Sequence, residues 1–321
     1  MHPIVLPTPF PVGPVNCWLL RGEPLTLVDT GPHTAEALAA LEAGLQGLGV
    51  RVEDVQLLLL THQHSDHLGL AATIRERSGC VVAAHRLLAP YAADVEAGMV
   101  AEEAWEGRLL DLHGTPPARR DAFLEVFRDR SRFGGSGVAV DLVLDDGDIV
   151  EAGGRRLRVS RRPGHSPTDT VLSDDDAGIA LVADHLIAHI SSNPLVHLPP
   201  EGPDDPLSRP SSLLSYLESL AVTAGEEIAL LRTGHGVEIT DHRPLIAERI
   251  RLHYARAEKV REALAAGPRS ASELGASLWP GLPVNQTFLI LCEVLGALDL
   301  LEAGGAVSST LCDGRLVYET R

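Results

Sequence analysis

The feature that constrains this chain most is a short apolar run, Leu57–Leu60, that ends in a dense cluster of polar side chains. An apolar run of this length bounded by polar residues is typical of a strand buried on both faces, as in a sheet covered by helices. Three histidines and one aspartate follow within six residues: His62, His64, Asp66 and His67. The segment therefore predicts a rigid strand end that carries ligand-type side chains.

These side chains offer the atoms that bind transition metals. Imidazole nitrogen and carboxylate oxygen together suit zinc, iron or manganese, and no cysteine is nearby to favour a thiolate site. His62, His64 and Asp66 occupy every second position, so in an extended loop they would project to one side. His67 opens the helical-looking stretch Leu68–Arg77. We therefore expect a metal site rather than a polar loop with incidental histidines.

The pattern His-x-His-x-Asp-His resembles the signature of the metallo-β-lactamase fold. The further ligands that this family would supply follow in the family's order, each after a strand-like run. They are His165, Asp184 and His235. Carried over by position, one metal would be held by His62, His64 and His165, and the second by Asp66, His67 and His235, with Asp184 bridging them.

Two other polar residues follow predicted strands in the same half of the chain. Asp29 resembles the family's aspartate that lies behind the histidine loop, and the alternative is a turn residue close to a helix. His85 follows the predicted strand Val81–Ala84. It is interpreted either as a partner of the metal ligands or as a hydrogen-bonded polar group without a role in the site.

The charge of the chain limits its partners. The sequence holds 44 Asp and Glu residues against 27 Lys and Arg residues, a formal net charge of −17. Such a charge opposes non-specific attraction to nucleic acid and to anionic lipid. The first residues do not form a basic leader followed by an apolar core, and no later apolar run approaches membrane length, so we expect no membrane partner.

The cysteines show no paired spacing, and a chain of 321 residues does not need disulfides to be stable. We interpret them as reduced, buried thiols of a cytoplasmic protein. They are Cys17, Cys80, Cys292 and Cys312.

The order of predicted elements agrees with the layered fold that the resemblance implies. Short apolar segments separated by Pro and Gly, such as Val5–Phe10 and Asn16–Leu20, predict antiparallel strands of a first sheet. Thr34–Leu48 predicts a helix with Thr34 as its cap. A second β-rich half begins at Val138–Leu144. The resemblance implies an α/β (α+β) fold, an αββα sandwich, as the catalytic domain of residues 1–255.

Residues 90–133 interrupt the alternation of strands and helices with helix-like segments, Val95–Leu112 and Arg119–Arg130. In this fold such an insertion would lie over the metal site, and we refer to it as the cap. Its arginines either pair with acidic residues on solvated amphipathic helices or form a pocket for an anionic substrate. They are Arg108, Arg119, Arg120, Arg128, Arg130 and Arg132.

Residues 256–321, the tail, resemble a winged-helix domain, with helices followed by a small β-wing predicted at Leu300–Glu302, Ala306–Leu311 and Arg315–Tyr318. The recognition-helix position, Asn285–Leu298, contains no Lys or Arg. The tail has six Lys and Arg against eight Asp and Glu, a net charge of −2. Because DNA readers bring a basic face to the phosphates, we interpret the tail as a packing or homodimerisation surface.

The ligand set implies hydrolysis at two divalent ions, with zinc expected and iron or manganese as alternatives. Two such ions share a water and lower its pKa from about 15.7 toward about 7. The bridging hydroxide would attack the substrate, while Asp66 orients it or receives a proton. Asp66 and Asp184 are therefore the predicted catalytic residues.

The ligands of the second metal resemble those of the glyoxalase II-like branch, so we predict a metal-dependent hydrolase of a small ester or thioester. The first alternative is a phosphodiesterase or ribonuclease, disfavoured by the net charge but kept open by the cap arginines. A sulfur dioxygenase with one iron, held by two His and one carboxylate, is the second. The third is a nucleic-acid-binding regulator without enzymatic activity.

Overall fold

The computed structural model describes residues 1–321. Its first sheet has six strands in chain order, of which the last four run parallel to one another. They are β1 (His2–Leu6), β2 (Val15–Leu20), β3 (Thr26–Val28), β4 (Leu57–Leu60), β5 (Val81–His85) and β6 (Leu142–Leu144). Strand β1 ends before the predicted Phe10, because Pro7 has no N–H group to continue the ladder.

Helices cover the outer face of this sheet. They include α1 (Ala35–Gly47), α2 (Ser65–Leu68) and α3 (Ala71–Ser78). Helix α1 begins as predicted, since the hydroxyl of Thr34 accepts a hydrogen bond from Ala37 N at 3.1 Å. Leu41 and Leu45 of α1 and Ile74 of α3 are fully buried in one cluster with the outward side chains of the sheet.

The cap consists of helices, as predicted, with α4 (Ala89–Ala93), α5 (Val95–Leu112) and α6 (Pro117–Ser131). The second sheet then follows, in the order β11-β10-β9-β8-β7. Its strands are β7 (Ile149–Ala152), β8 (Arg155–Arg161), β9 (Thr170–Asp174), β10 (Ile179–Ala183) and β11 (Leu230–Thr233). Helices α7 (Ser212–Gly225) and α8 (His242–Leu264) cover its outer face.

The inner faces of the two sheets share one apolar cluster. Trp18, Leu57 and Leu59 of the first sheet pack with Leu157 and Leu172 of the second. Each sheet thus has a helical layer on its outer side and the other sheet on its inner side. The predicted αββα sandwich is confirmed.

The tail contains α9 (Ala271–Leu278), α10 (Thr287–Ala303), and a hairpin of β12 (Val307–Cys312) and β13 (Arg315–Thr320). The wing strand predicted at Leu300–Glu302 is wrong, because these residues form the last turn of α10. Gly304 N donates to Leu300 O at 3.1 Å and closes that turn. The predicted domain boundary after residue 255 falls within α8.

Cap and tail share a single hydrophobic core. Trp105 and Leu109 of α5 and Phe123 of α6 are buried in one cluster with Leu291 and Leu295 of α10. The rings of Phe123 and Phe288 stack with centroids 5.6 Å apart. The apolar face of α10, which lies at the predicted recognition-helix position, is therefore used for packing against the rest of the chain.

One segment, Val284–Ala303, is long and apolar enough to cross a membrane by length and composition alone, with a mean hydropathy of 1.5. The expectation that no apolar run approaches membrane length is wrong for this segment. Within the structure 56% of it is buried, because it forms the centre of the core that the cap and the tail share.

Candidate metal centre

The seven predicted ligands converge at one edge of the sandwich, because each follows the end of a strand. The histidine loop leaves β4, His165 follows β8, Asp184 follows β10 and His235 follows β11. Both sheets therefore contribute side chains to a single place. Residues separated by more than a hundred positions in the sequence meet there, as His64 and His165 do.

The histidine loop is not extended throughout, which corrects one expectation. His67 N donates to His64 O at 2.9 Å, so a helical turn, α2, already starts at Ser65. Asp66 and His67 consequently leave the loop from a turn, while His62 and His64 come from the extended part. The two halves of the motif are aimed at two different clusters for this reason.

The ligand atoms form two groups that share a border. In the first group, His64 Nδ1 lies 3.1 Å from His62 Nε2 and 2.9 Å from His165 Nε2. In the second group, the ligand atoms of Asp66, His67 and His235 lie within 4.8 Å of one another. These are the two sets of three that the resemblance assigned to two metals.

Asp184 lies between the two groups. Its Oδ1 is 3.4 Å from His67 Nε2, and its Oδ2 is 3.4 Å from His235 Nε2 and 3.5 Å from His165 Nε2. The carboxylate therefore contacts histidines of both groups, with Oδ2 between His165 and His235 and Oδ1 beside His67. This is the position expected for a bridging ligand.

The donor set fits a pair of divalent ions. Two ligand atoms bound at about 2.1 Å with tetrahedral angles are separated by roughly 3.4 Å, the separation found around Asp184. His67 Nε2, His235 Nε2 and Asp184 Oδ1 are also buried without any hydrogen-bond partner. Buried polar atoms are rarely left unpaired, and a shared cation satisfies all three together.

Asp29 fixes the orientation of His67 from behind. One of its oxygens accepts from His67 Nδ1 at 2.8 Å and from Thr61 Oγ1 at 2.8 Å, and the other accepts from Thr61 N at 2.9 Å. This is the place that the resemblance predicted for Asp29. With its Nδ1 hydrogen donated to Asp29, His67 presents the lone pair of Nε2 to the cluster.

His64 is oriented by a chain of two side chains that the sequence analysis did not identify. Its Nε2 lies 3.3 Å from His197 Nε2, and His197 Nδ1 lies 2.7 Å from Glu102 Oε1. Because Nδ1 of His64 faces the cluster, its hydrogen belongs on Nε2 and is donated to His197. His197 must then donate its own Nδ1 hydrogen to Glu102. Each ring nitrogen of His64 and His197 therefore has a defined role as donor or acceptor.

We expect His197→Ala to weaken metal binding by about 10-fold to 100-fold, because His64 loses the acceptor that fixes its tautomer. Glu102→Gln should have a smaller effect, since the amide oxygen still accepts from His197. The matched control is Glu103→Gln, which changes the next residue of α5, paired with Arg128 rather than with His197. Zinc titration against a chromophoric chelator measures the effect, and wild-type affinity in His197→Ala would contradict it.

The remaining ligands are held by backbone and hydroxyl groups. His235 Nδ1 donates to Pro14 O at 2.8 Å, and His165 Nδ1 donates to Asn193 O at 3.1 Å. His62 Nδ1 lies 3.0 Å from Thr61 Oγ1. Each histidine of the site thus has a partner for the nitrogen that faces away from the cluster.

Two further residues support the site, one through hydrogen bonds and one through a close backbone approach. Gln63, between the first two histidines, accepts hydrogen bonds from Ser166 and Thr168 and so ties the His165 turn to the histidine loop. A Cβ atom on Gly234 would overlap Asp184 Oδ1, so only glycine allows the backbone to pass there. The His-x-His pattern did not predict this role of Gln63, because its hydrogen-bond partners lie in the His165 turn, about a hundred residues later in the sequence.

The electrostatics of the site follow from burial and from Asp184. Burial lowers the pKa of His62 and His64 well below the ordinary value, and that of His165 to about 4. These three imidazoles are neutral at pH 7, which is the form that binds metals.

Burial also opposes the charged forms of His67 and His235, but the carboxylate of Asp184 outweighs it. The pKa of His67 is raised well above its ordinary value, and that of His235 to about 10. Burial likewise opposes ionisation of Asp184, yet His235 and His67 keep the pKa of its carboxyl well below the usual range. Negative charge is therefore concentrated at Asp184, between the two groups.

His85 lies outside the ligand cluster. Its Nδ1 accepts from Leu87 N at 3.2 Å, and its Nε2 is 3.6 Å from Asp145 Oδ1. Of the two interpretations of His85, the structure supports the one without a role in the site.

A cavity of about 640 Å³, the main chamber, opens above the ligands. His64, Asp66, His165 and Asp184 form part of its wall. The remainder comes from the β1–β2 loop, the end of α6, the loop after β10 and the start of the last tail helix. Cap and tail thus both border the site. The volume of the main chamber lies in the range found for small-molecule binding sites. The residues outside the ligand set include Phe10, Arg130, His189, Asn193, Asn285 and Leu289.

Known proteins share both the sequence and the fold. Residues 10–235 of this chain match the protein family described as "Metallo-beta-lactamase superfamily". The chain is 32% identical over 323 residues to the probable metallo-hydrolase YqjP of Bacillus subtilis (strain 168), over 98% of this chain and 96% of YqjP. The crystal structure of metallo-beta-lactamase family protein TTHA1429 from Thermus thermophilus superimposes with a TM-score of 0.82 and 31% identity, over 100% and 98% of the two chains.

A more distant relative has a named activity. Hydroxyacylglutathione hydrolase of Cereibacter sphaeroides is 26% identical over 162 residues, which is 50% of this chain and 46% of that enzyme.

Proposed function

Because the chain is a metallo-hydrolase that belongs to the metallo-β-lactamase superfamily, we propose that it cleaves a small ester or thioester at a centre of two divalent metal ions. The observation that carries this proposal is the convergence of two three-residue ligand groups, joined by Asp184, at the wall of a chamber of about 640 Å³. Zinc is the metal we propose first, with iron or manganese as alternatives.

The first ion would be held by His62, His64 and His165, the second by Asp66, His67 and His235, with Asp184 shared. Such a pair of ions, when bound, supplies a water of lowered pKa and polarises the carbonyl of the substrate.

The side chains of this protein divide the remaining work. Asp184 joins the two groups, since its carboxylate faces His165 of the first group and His67 and His235 of the second. Asp66 lines the chamber with its side chain 10% exposed, and its carboxylate would orient the attacking water or receive its proton. Apolar residues such as Ile187 and Leu289 form part of the chamber wall, where they could contact an apolar part of the substrate.

Three observations support an acyl substrate over a nucleic acid. The relative from Cereibacter sphaeroides is named for hydrolysis of hydroxyacylglutathione, although it matches only half of this chain. The chamber has the size of a small-molecule site. The net charge of −17 opposes the binding of a polyanion, and the predicted recognition-helix position, Asn285–Leu298, contains no Lys or Arg. We also propose that the protein acts in the cytoplasm.

The test is one parallel screen of the zinc-loaded, iron-loaded and manganese-loaded protein. The substrates are glutathione thioesters, coenzyme A thioesters, lactones, a generic phosphodiester and single-stranded RNA. We expect metal-dependent turnover of at least one thioester or ester, abolished by a chelator and restored by metal. Cleavage of RNA or of the phosphodiester at rates far above every acyl substrate would contradict the proposal.

A further inference from the structure

Five of the six arginines in the cap are occupied by partners within the protein. Arg108 binds Asp204, Arg120 binds Asp111, Arg128 binds Glu103 and Arg132 binds Asp129. Arg119 donates to the backbone carbonyls of Leu282 and Pro283. Arg130 is the exception, since it has neither a carboxylate within 4.0 Å nor a hydrogen bond from its side chain to another residue.

Arg130 stands where two cavities meet. It lines the main chamber, which contains the metal ligands, and also a side pocket of about 210 Å³ that extends under the cap. His64 and Ser65 line both cavities too, so the side pocket starts next to the metal centre. A charge at this junction is close enough to influence any molecule that occupies both spaces.

The side pocket is mainly apolar and aromatic. Its wall includes Tyr91, Met99, Phe123, Val126, Phe127 and Phe288. Such a surface favours an alkyl or aryl group, which loses contact with water when it enters.

Two acidic residues also line the side pocket, but neither lies within 4.0 Å of the guanidinium of Arg130. Glu102 is occupied by its hydrogen bond with His197. Burial raises the pKa of Glu106 well above its ordinary value, which favours the neutral form of this carboxyl. Arg130 is therefore a partly buried cation at the entrance of an apolar pocket, with no carboxylate within 4.0 Å.

On the basis of the hydrolase activity proposed above, we propose that the substrate is an amphipathic anion. Its apolar group occupies the side pocket, and its negative charge is held by the guanidinium of Arg130, beside the bond that is cleaved in the main chamber. A planar guanidinium binds carboxylate, phosphate or sulfonate groups through paired hydrogen bonds, so any of these charges would serve. Neutral esters of the same shape would lack this interaction.

The binding test uses three probes that are not hydrolysed: toluenesulfonate, its neutral analogue methyl tolyl sulfone, and methanesulfonate. In calorimetry on the metal-loaded protein, we expect toluenesulfonate to bind about tenfold more tightly than the sulfone. A hydrogen bond to a charged group accounts for a difference of this size. Arg130→Gln should abolish this preference. Arg128→Gln, on the same helix but paired with Glu103, should retain it. Methanesulfonate should bind much more weakly, because it lacks the apolar group.

Equal binding of the sulfonate and the sulfone to the wild-type protein would overturn the proposal, as would a preference that survives in Arg130→Gln. A kinetic comparison separates this result from the proposed function. The same variants are assayed with hexanoyl and adipoyl thioesters, which differ by one terminal carboxylate. Arg130-dependent binding without turnover of any acyl substrate would support the anion subsite while contradicting ester or thioester hydrolysis.

Discussion

Asp184→Ala is expected to lower hydrolysis by about a thousandfold or more and to remove at least one metal ion per chain. The carboxylate contacts histidines of both ligand groups, so its loss affects both ions, whereas the loss of one histidine affects one. Metal centres contribute several kcal/mol to the stabilisation of a transition state, and a thousandfold loss corresponds to about 4 kcal/mol. The measurements are elemental analysis and kcat/KM on the best acyl substrate.

The matched control is Asp176→Ala, which removes an exposed aspartate from the turn between β9 and β10. It should keep wild-type metal content and activity. Circular dichroism should show both variants folded, because the side chain of Asp184 supports the ligand cluster rather than the apolar core. Wild-type turnover by Asp184→Ala would show that the bridging assignment is wrong.

Asp29→Asn is expected to weaken metal binding by about 10-fold to 100-fold and to lower the free energy of unfolding by about 1–3 kcal/mol. Asp29 accepts hydrogen bonds from three buried donors, two on Thr61 and one on His67. An amide has one oxygen and an NH₂ group, so at least one of these donors faces another donor. His67 then loses the contact that keeps its Nε2 aimed at the cluster.

Asparagine is the informative substitution because Asp29 has a φ of 60°. Asparagine tolerates this left-handed conformation, whereas alanine would add backbone strain to the loss of the acceptor. Urea unfolding of the metal-free protein and chelator titration of the loaded protein separate the two expected effects. Asp176→Asn serves as the control, and unchanged metal affinity in Asp29→Asn would refute the orienting role.

The metal ligands could be predicted from the sequence because each follows a strand, and strands leave a local signal. The apolar run Leu57–Leu60 indicates a buried strand, and the residues after it are then confined to one end of a sheet. The same holds for Asp184 after β10 and His235 after β11. The family resemblance supplied the grouping into two sets, and the structure brings both sets together. Their metal-binding role stays a prediction until metal content is measured.

The surroundings of the ligands had no comparable signal. His197 and Glu102 are separated by 95 positions and meet only because the loop after β10 passes beneath α5. Arg132 pairs with Asp129, three residues before it, but the other partners of the cap arginines, and the absence of one for Arg130, follow from tertiary packing. Sequence periodicity cannot distinguish them, because an ion pair depends on which side chains are adjacent in three dimensions.

By itself, then, the sequence determined the sandwich, the cap helices and the identity of the candidate ligands, since apolar periodicity and strand-end placement are local properties. Only the tertiary structure decided that Asp66 and His67 leave from a helical turn, that Glu102 and His197 orient His64, and that cap and tail share one core. These features depend on contacts between distant segments, whose free energy is gained only when the whole chain has packed.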